Sequence, residues 1–175
     1  MAALNSRSCC QRCLATLFVL WSFPAFSQPA RTPSDLIQQV FTGLELKDEA
    51  QLKSLAISKQ DFKKFIWPSV RRTVVAKLGI SAETLFALSA SESEIGLASI
   101  VKEFGGRKFD VLQISSLTAE RHPIRRRRFN AYSGPAVTIR DDNGNEHMVH
   151  VVGGIVEFGG VYKVSTYSLA PDQRQ

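Results

Sequence analysis

The stretch DDNGNEHMVHVVGGIVEFGGVYKVSTYSL, residues 141–169, decides the fold class. Both of its arms follow the two-residue period of a β-strand. Asp142-Asn143-Gly144 precedes the first arm and Gly159-Gly160 joins the two, and such residues form tight turns between antiparallel strands. The stretch therefore predicts two consecutive strands of an antiparallel meander, over residues 145–158 and 161–169.

Two more strands are predicted before this stretch, KFDVLQISSL at residues 108–117 and RRRRFNAYSGPAVTIR at residues 125–140. Pro135 has no backbone N–H to donate, so it predicts a bulge or an edge position in the second strand. Gly153-Gly154 predicts a bend in the third strand. Four long strands that bend are typical of a sheet that curls around an interior.

The residues before the sheet follow the helical period instead. Thr32-Pro33-Ser34-Asp35 offers an N-cap, a proline at the first helical position and an acid three residues after the cap. A second, short helix is predicted over residues 48–56. Ser58-Lys59-Gln60-Asp61 predicts another capped turn, which Pro68 is expected to stop just after Trp67.

The last predicted helix runs from Ser81 to about Phe104, and Gly105-Gly106 ends it. Its inner face is predicted to carry Leu85, Leu88, Ile95 and Val101, although the serine-rich sequence SASESE interrupts the pattern. Residues 70–79 show no clear period and are predicted to be a connection. The fold class is therefore α+β, with N-terminal helices packed on a curved, cone-like antiparallel sheet of four strands or slightly more.

The first 27 residues are predicted to be a secretory signal peptide. Arg7 and Arg12 form a positive region, Leu14 to Trp21 an apolar core, and Pro24 precedes a small-residue site with cleavage after Ser27. The apolar run is shorter than the roughly 20 residues that a membrane span needs. We therefore expect export to the periplasm or the exterior, with no membrane span in the mature chain.

Cleavage would leave 148 of the 175 residues, enough for one domain with one core. The chain's three cysteines all lie in the leader, so the mature chain would hold no disulfide, thiol nucleophile or zinc–thiolate site. Loss of the leader's two arginines lowers the net charge from +6 to +4. We predict a short linker over residues 28–33, a single domain over 34–170 and a polar tail over 171–175.

The order of elements resembles the nuclear-transport-factor-two-like superfamily, which includes ketosteroid isomerase and SnoaL-type polyketide cyclases. Within it the chain is similar to small exported bacterial proteins of unassigned function. The resemblance is carried by DLIQQVFTGLELKDEAQLKSL at residues 35–55, DFKKFIWP at 61–68 and GGIVEFGGVYKVSTYSL at 153–169. It implies a cone-shaped domain with an internal, often apolar pocket. A fold does not fix a chemistry, and the carboxylate base and oxyanion donor of ketosteroid isomerase cannot be mapped onto this chain.

Two residues are candidates for catalysis. Asp110 is predicted to share a strand face with Leu112, where it would be a base, or to be a solvated strand-end residue. His150 is predicted to lie in the cone, as a reactive group or as a hydrogen-bonded core histidine. His147 and His150 are three residues apart on one strand and point to opposite faces, and no HExxH pattern occurs. We predict no metal site and no cofactor.

The segment RHPIRRRRFNAY, residues 121–132, concentrates positive charge. Odd positions of this strand are predicted to face inward, which would place Arg127 at the mouth of the cone as a carboxylate or phosphate clamp. The alternatives are a solvated rim that deters edge aggregation, or a site for an anionic small ligand, lipid or glycan. Nucleic acid is disfavoured, because few aromatic residues are interleaved and the chain is expected to be exported. The predicted ligand-binding residues are Trp67, Phe86, Arg127, Tyr132 and His150.

The third predicted strand is apolar on both faces, so something must cover the second face. A homodimer through the outer sheet face is one cover. A loop such as residues 76–81 folded over the sheet is the other.

The sequence favours an exported module that binds a small apolar or anionic ligand in an apolar pocket, without evident catalytic machinery. It contains neither a G-x-S-x-G motif nor a phosphate-binding loop. One alternative is an isomerase, cyclase or hydrolase that uses the same pocket. The other is an envelope module that binds a protein partner through its sheet face.

Overall fold

The structure is a computed structural model that describes residues 28–117 and 129–169, without the side chains of Arg72, Thr73 and Ala76. The predicted leader, residues 121–128 of the arginine segment and the predicted tail lie outside the described residues.

Helices make up the first half of the described chain. They are α1 (Pro33–Glu45), α2 (Glu49–Leu55), α3 (Lys59–Asp61), a π-helical segment (Phe62–Ile66), α4 (Trp67–Leu78) and α5 (Ala82–Phe104). The predicted starts are confirmed, because Thr32 and Ser58 form capping boxes with the acid three residues later. Asp48 and Ser81 cap α2 and α5 through their side-chain oxygens.

The prediction that Pro68 ends the third helix is wrong. Pro68 lies in the first turn of α4, directly after the π segment, and the helix continues through it. The π segment precedes it, and the Trp67 N–H donates to the carbonyl of Phe62, five residues back. This widened turn relieves the contact that a proline ring otherwise makes with the carbonyl four residues earlier. Most of residues 70–79, predicted to be a connection, is therefore helix.

The second half of the chain is antiparallel sheet, and the α+β class is confirmed. The strands are β1 (Asp110–Ile114), β2 (Asn130–Ser133), β3 (Val137–Arg140), β4 (Glu146–Val149), β5 (Val152–Phe158) and β6 (Val161–Tyr167). They form two three-stranded sheets with orders β1-β3-β4 and β2-β5-β6. The structure thus assigns two sheets where we predicted a single sheet of four strands.

The difference arises because each of the two central predicted strands is split between the sheets. Pro135 separates β2 from β3, and the pair His150-Val151 separates β4 from β5. The pairing of β5 with β6 shifts register on both sides of Gly154, which confirms the irregularity predicted there. The backbone N–H of Gly134 still donates to the carbonyl of Gly153 at 3.1 Å between the two paired regions.

One core joins the helices to both sheets. The apolar stripe predicted for α1 is confirmed, since Leu36, Ile37, Val40, Phe41 and Leu44 are all buried. Side chains from α2, α5, β3, β5, β6 and the link between β4 and β5 complete this core, and they include Leu52, Leu55, Leu97, Ile100, Phe104, Val137, Ile139, Val151, Val152, Ile155, Val164 and Tyr167.

The inner face predicted for α5 is wrong in part. Leu88 is 57% exposed and Ile95 is 68% exposed. The buried face instead runs through Ser93, Leu97 and Ile100 at helical spacing. A pattern based on hydrophobicity misses this face because a serine occupies one of its positions.

The second face of β5 is covered by the chain itself. Val156 and Phe158 form a smaller cluster with Phe65 and Ile66 of the π segment. The rings of Phe65 and Phe158 stack at a centroid distance of 4.6 Å. At β5 the apolar second face therefore requires neither a partner subunit nor the 76–81 loop. Met148 on β4, which the same prediction placed on that face, is exposed, so the homodimer stays a prediction.

The segment 28–33, predicted to be a linker, packs onto the domain. Ala30 is buried, and its carbonyl accepts a hydrogen bond of 2.9 Å from the Tyr162 N–H. The Arg31 guanidinium donates to the carbonyl of Gly160 at 3.4 Å. These contacts attach the start of the described chain to β6.

Within the described ranges, no helix has both the length and the apolar character needed to cross a membrane.

Asp61 ties α3 to β6. Its carboxylate accepts from the Ser58 hydroxyl at 2.7 Å and pairs with the Lys163 ammonium at 3.3 Å. Partial burial acts to raise the pKa of Asp61, but the Ser58 hydrogen bonds and the Lys163 charge outweigh it, so that the pKa lies below the ordinary 3.8. Because the pKa of Asp61 is lower in the folded protein than the ordinary 3.8, the ionised carboxylate stabilises the fold at pH values above 3.8. This contribution is lost as the pH falls through the folded-state pKa.

We therefore expect Asp61→Asn to destabilise the protein at neutral pH and to have progressively less effect as the pH falls below 3.8. The measurement is urea unfolding of both proteins across this range. The control is Asp142→Asn, since Asp142 is an exposed turn residue. A stability difference at Asp61 that stays constant with pH would contradict the assignment.

Candidate functional site

A hollow of about 250 Å³ lies between α5 and the end of β6. Its wall is mostly apolar, with hydroxyl groups on two sides and one lysine and one glutamate among its residues. The lining residues are Lys53, Ala56, Ile57, Phe62, Phe86, Ser89, Ala90, Ser93, Glu94, Leu97, Ser165 and Tyr167. The hollow is the candidate site because mostly apolar concavities with a few polar groups are typical of small-molecule sites.

Small side chains in α5 leave the space open. Ser89, Ala90 and Ser93 lie on the helix face that looks into the hollow, where larger residues would fill it. Phe62 of the π segment and Phe86 of α5 pack at a ring-centroid distance of 5.6 Å and form an aromatic wall. The serine-rich middle of α5 is therefore a feature of the site.

The floor of the hollow is set by a close contact between α5 and β6. Gly96 has no Cβ, and a Cβ there would overlap the carbonyl oxygen of Tyr167. One turn earlier, the buried Ser93 hydroxyl accepts a hydrogen bond of 3.1 Å from the Tyr167 N–H. Among the described residues no strand pairs with β6 on this side of Tyr167, and the helix satisfies the N–H in its place.

The Tyr167 side chain extends this contact to α2. Its hydroxyl donates to the carbonyl of Leu52 at 2.7 Å. Burial raises the pKa of Tyr167 far above its ordinary value, so the phenol is neutral at physiological pH. In this state Tyr167 is a structural hydrogen-bond donor, and it is not a base.

Two further hydroxyls in the wall are available to a ligand. Within the described part of the chain, neither Ser89 nor Ser165 has a hydrogen-bond partner, and both side chains are half-buried. Lys53 and Glu94 lie in the exposed part of the lining, and the Lys53 ammonium is 3.5 Å from a carboxylate oxygen of Glu49. The hollow therefore offers an apolar interior, uncommitted hydroxyls and one charge of each sign toward solvent.

Of the predicted ligand-binding residues, Phe86 lines the hollow. Trp67 is half-buried at the start of α4, and His150 is half-buried between β4 and β5. Tyr132 lies on β2 with its ring 6.3 Å from that of Tyr162, and burial and this neighbour raise the pKa of Tyr132. These three residues are not part of the hollow, and Arg127 lies outside the described residues.

Asp110 is exposed at the first position of β1, an edge strand, where it faces Arg140 in the register of the sheet. This is the solvated strand-end position that we gave as the alternative to a catalytic base. His147 is also exposed, and its Nε2 lies 3.2 Å from a carboxylate oxygen of Asp141. In the described ranges, no three histidine, cysteine or acidic residues are grouped as metal ligands would be.

The alternation of inward-facing and outward-facing positions that we used to orient the arginine segment does not continue across Pro135. Val137 and Ile139 face the main core as expected, but Phe129 and Ala131, also at odd positions, pack in the smaller cluster beside β5. The alternation changes face because the strand is interrupted between β2 and β3. Alternation along one continuous strand therefore does not place Arg127 at the mouth of a cone.

Comparison of this chain with known protein families, with curated proteins and with solved structures finds no match.

The contact at Gly96 predicts a change in the free energy of unfolding that is opposite in sign to the usual effect of Gly→Ala in a helix. In an ordinary helix interior, Gly→Ala stabilises by about 1 kcal/mol. At position 96 we expect Gly96→Ala to destabilise by about 1–3 kcal/mol, because the methyl group would force α5 away from β6. The shift of the urea unfolding midpoint measures the effect.

Ser91→Ala is the matched control, since Ser91 is exposed in the same helix. We expect this change to stay within about 0.5 kcal/mol. Stabilisation by Gly96→Ala would mean that the helix does not approach β6 as closely as described.

Proposed function

We propose that this protein binds a small ligand in the hollow between α5 and β6, as a binding or accessory module. The observation that carries the proposal is the composition of the wall, in which aromatic and aliphatic groups surround two hydroxyls, those of Ser89 and Ser165, that have no partner within the described residues. Half-buried hydroxyls without partners are favourable positions for the polar end of a ligand, because they gain hydrogen bonds on binding.

The volume restricts the ligand to a small molecule. Pockets for drug-sized ligands are typically about 300–1,000 Å³, whereas an engineered cavity of roughly 150 Å³ binds benzene. At about 250 Å³, this hollow matches a fused bicyclic ring or a short acyl chain. The two serine hydroxyls favour a ligand with one hydroxyl, carbonyl or ring N–H group.

The polar groups of the hollow support binding more than catalysis. The Ser93 hydroxyl and the Tyr167 phenol are both engaged with backbone groups. The two candidate catalytic residues, Asp110 and His150, do not line the hollow. The remaining titratable side chains of the lining, Lys53 and Glu94, are exposed, and this position does not favour the alternative of an enzyme that uses this pocket.

The cone-like sheet, the superfamily resemblance and export are further parts of this proposal. The hydrogen bond between Gly134 and Gly153 supports a single bent sheet in which the two three-stranded sheets are continuous. The Ser115 N–H also donates to the carbonyl of Ala136 at 2.9 Å, which extends the β1–β3 pairing toward this bend. Export rests on the sequence of residues 1–27.

The test is an NMR titration of the protein with indole and with octanoate, read out on the backbone amides. We expect saturable shifts centred on Phe86, Ser93 and Tyr167. Ala90→Phe would place a ring inside the hollow, and we expect it to weaken binding by about tenfold or more. Native mass spectrometry of protein purified from its own compartment would then identify the natural ligand.

Ala98→Phe is the control, because Ala98 is exposed on α5 and does not line the hollow. Ser89→Ile, on the same wall, gives a second blocking variant should Ala90→Phe fail to fold. Shifts spread over the surface, or binding that both blocking variants leave unchanged, would refute the site.

A further inference from the structure

Residues 59–78, which comprise α3, the π segment and α4, carry a concentrated positive charge. The segment holds six basic residues and one acid, Asp61. The basic residues are Lys59, Lys63, Lys64, Arg71, Arg72 and Lys77. A net charge of +5 over 20 residues is close to the +6 of the whole chain, so the rest of the protein is nearly balanced.

The same segment carries apolar side chains on one helix face, of which Trp67, Val70 and Val74 are half-buried and Leu78 is exposed. Trp67, Val70, Val74 and Leu78 recur at the spacing of one helix face. Val75 beside them is 46% exposed and Leu78 is 65% exposed. Among the α4 side chains that the structure describes, none is buried. An apolar stripe with basic residues on its flanks is the pattern of helices that lie on membrane surfaces.

The π segment holds α4 on the domain, and no other element of the described residues packs extensively against α4. Phe65 stacks on Phe158 at 4.6 Å, and Phe62 packs against Phe86 at 5.6 Å. The extensive contacts of α4 are with the π segment itself. The helix is therefore attached at one end, and its apolar side chains belong to neither core cluster.

A basic recess lies next to the attachment point. Lys59, Gln60, Lys63 and Lys64 line an open depression of about 540 Å³. The Lys63 ammonium is paired with Glu83 at 2.6 Å, and the Lys64 ammonium lies 5.0 Å from the centre of the Phe65 ring. The depression is open enough to admit a phosphate-bearing headgroup, and three lysine side chains border it.

We propose that residues 59–78 dock this protein onto an anionic lipid surface. The stripe on α4 would lie at the boundary between headgroups and acyl chains, and the lysines of the recess would contact phosphate groups. Trp67 suits this position, because its amphipathic ring favours the membrane–water interface. A second copy of the chain is a poorer occupant of the stripe, since two faces of charge +5 repel each other.

The experiment is vesicle co-sedimentation of the whole chain in a Trp21→Phe background. Trp67 is then the only tryptophan, and its fluorescence reports on α4 directly. Vesicles of phosphatidylglycerol with phosphatidylethanolamine are compared with vesicles of phosphatidylcholine alone. We expect binding to the anionic vesicles, a blue shift of Trp67 emission, and weakening by added salt.

Two sets of variants separate the charge from the apolar stripe. Each basic residue near an anionic surface contributes about fivefold to partitioning, so that Lys64→Gln, Arg71→Gln and Lys77→Gln together should weaken binding by about a hundredfold. Leu78→Ala with Val75→Ala should remove the blue shift as well as weaken binding.

The matched charge control is Lys102→Gln with Arg107→Gln and Lys108→Gln, which removes three exposed basic residues outside the segment. Leu46→Ala is the apolar control, since Leu46 is 69% exposed at the end of α1. All variants share the same residues 1–27, so that any membrane affinity of that segment is common to them. We expect both controls to bind as the parent does.

Equal binding to phosphatidylcholine, equal losses in the controls, or an unchanged Trp67 spectrum would overturn the proposal. So would self-association in native mass spectrometry that Leu78→Ala abolishes, because the occupant would then be a second copy. Binding to a DNA duplex without binding to vesicles would identify the segment as a nucleic-acid contact and would overturn it too. None of these outcomes bears on the hollow, which is tested separately with indole and octanoate.

Discussion

The approach of α5 to β6 is the contact on which the rest of the structure depends. Gly96 allows the helix backbone to touch the carbonyl of Tyr167, and the Ser93 hydroxyl satisfies the N–H of the same residue. Because the helix is fixed at this point, the turns before Gly96 must pass over the sheet at a distance set by their side chains. Those side chains are small, and a hollow results. The same contact that packs the core thus creates the candidate site.

The parts of the fold that sequence could predict are those decided by a few neighbouring residues. A capping box depends on the residue types at the cap and three residues later, and both Thr32 and Ser58 have the acid in place. The turn at Asp142-Asn143-Gly144 likewise carries its own conformational preference, and β3 pairs with β4 across it. Signals of this kind remain readable because tertiary contacts do not alter them.

The parts that could not be predicted depend on contacts distant in sequence. Pro68 continues a helix because the π turn before it is anchored by Phe65 against Phe158, 93 residues later. Pro135 interrupts the second predicted strand, so that odd-numbered residues before and after it pack in different clusters. Within the site, the aromatic signal identified Phe86 alone. The serines of α5 weakened the helix prediction. That their small size leaves space for the hollow can be recognised only in the structure, where β6 lies opposite them.

The π segment also changes what an apolar sheet face implies. A strand that is apolar on both sides indicates that both faces are covered, but it does not indicate whether the cover comes from the same chain. Here Phe65 and Ile66 supply it from within, on the side of β5 where a partner subunit was expected. Because Phe65 already stacks on Phe158 at this face of β5, the helix that follows makes its extensive contacts with the π segment instead, and its side chains Val75 and Leu78 are exposed.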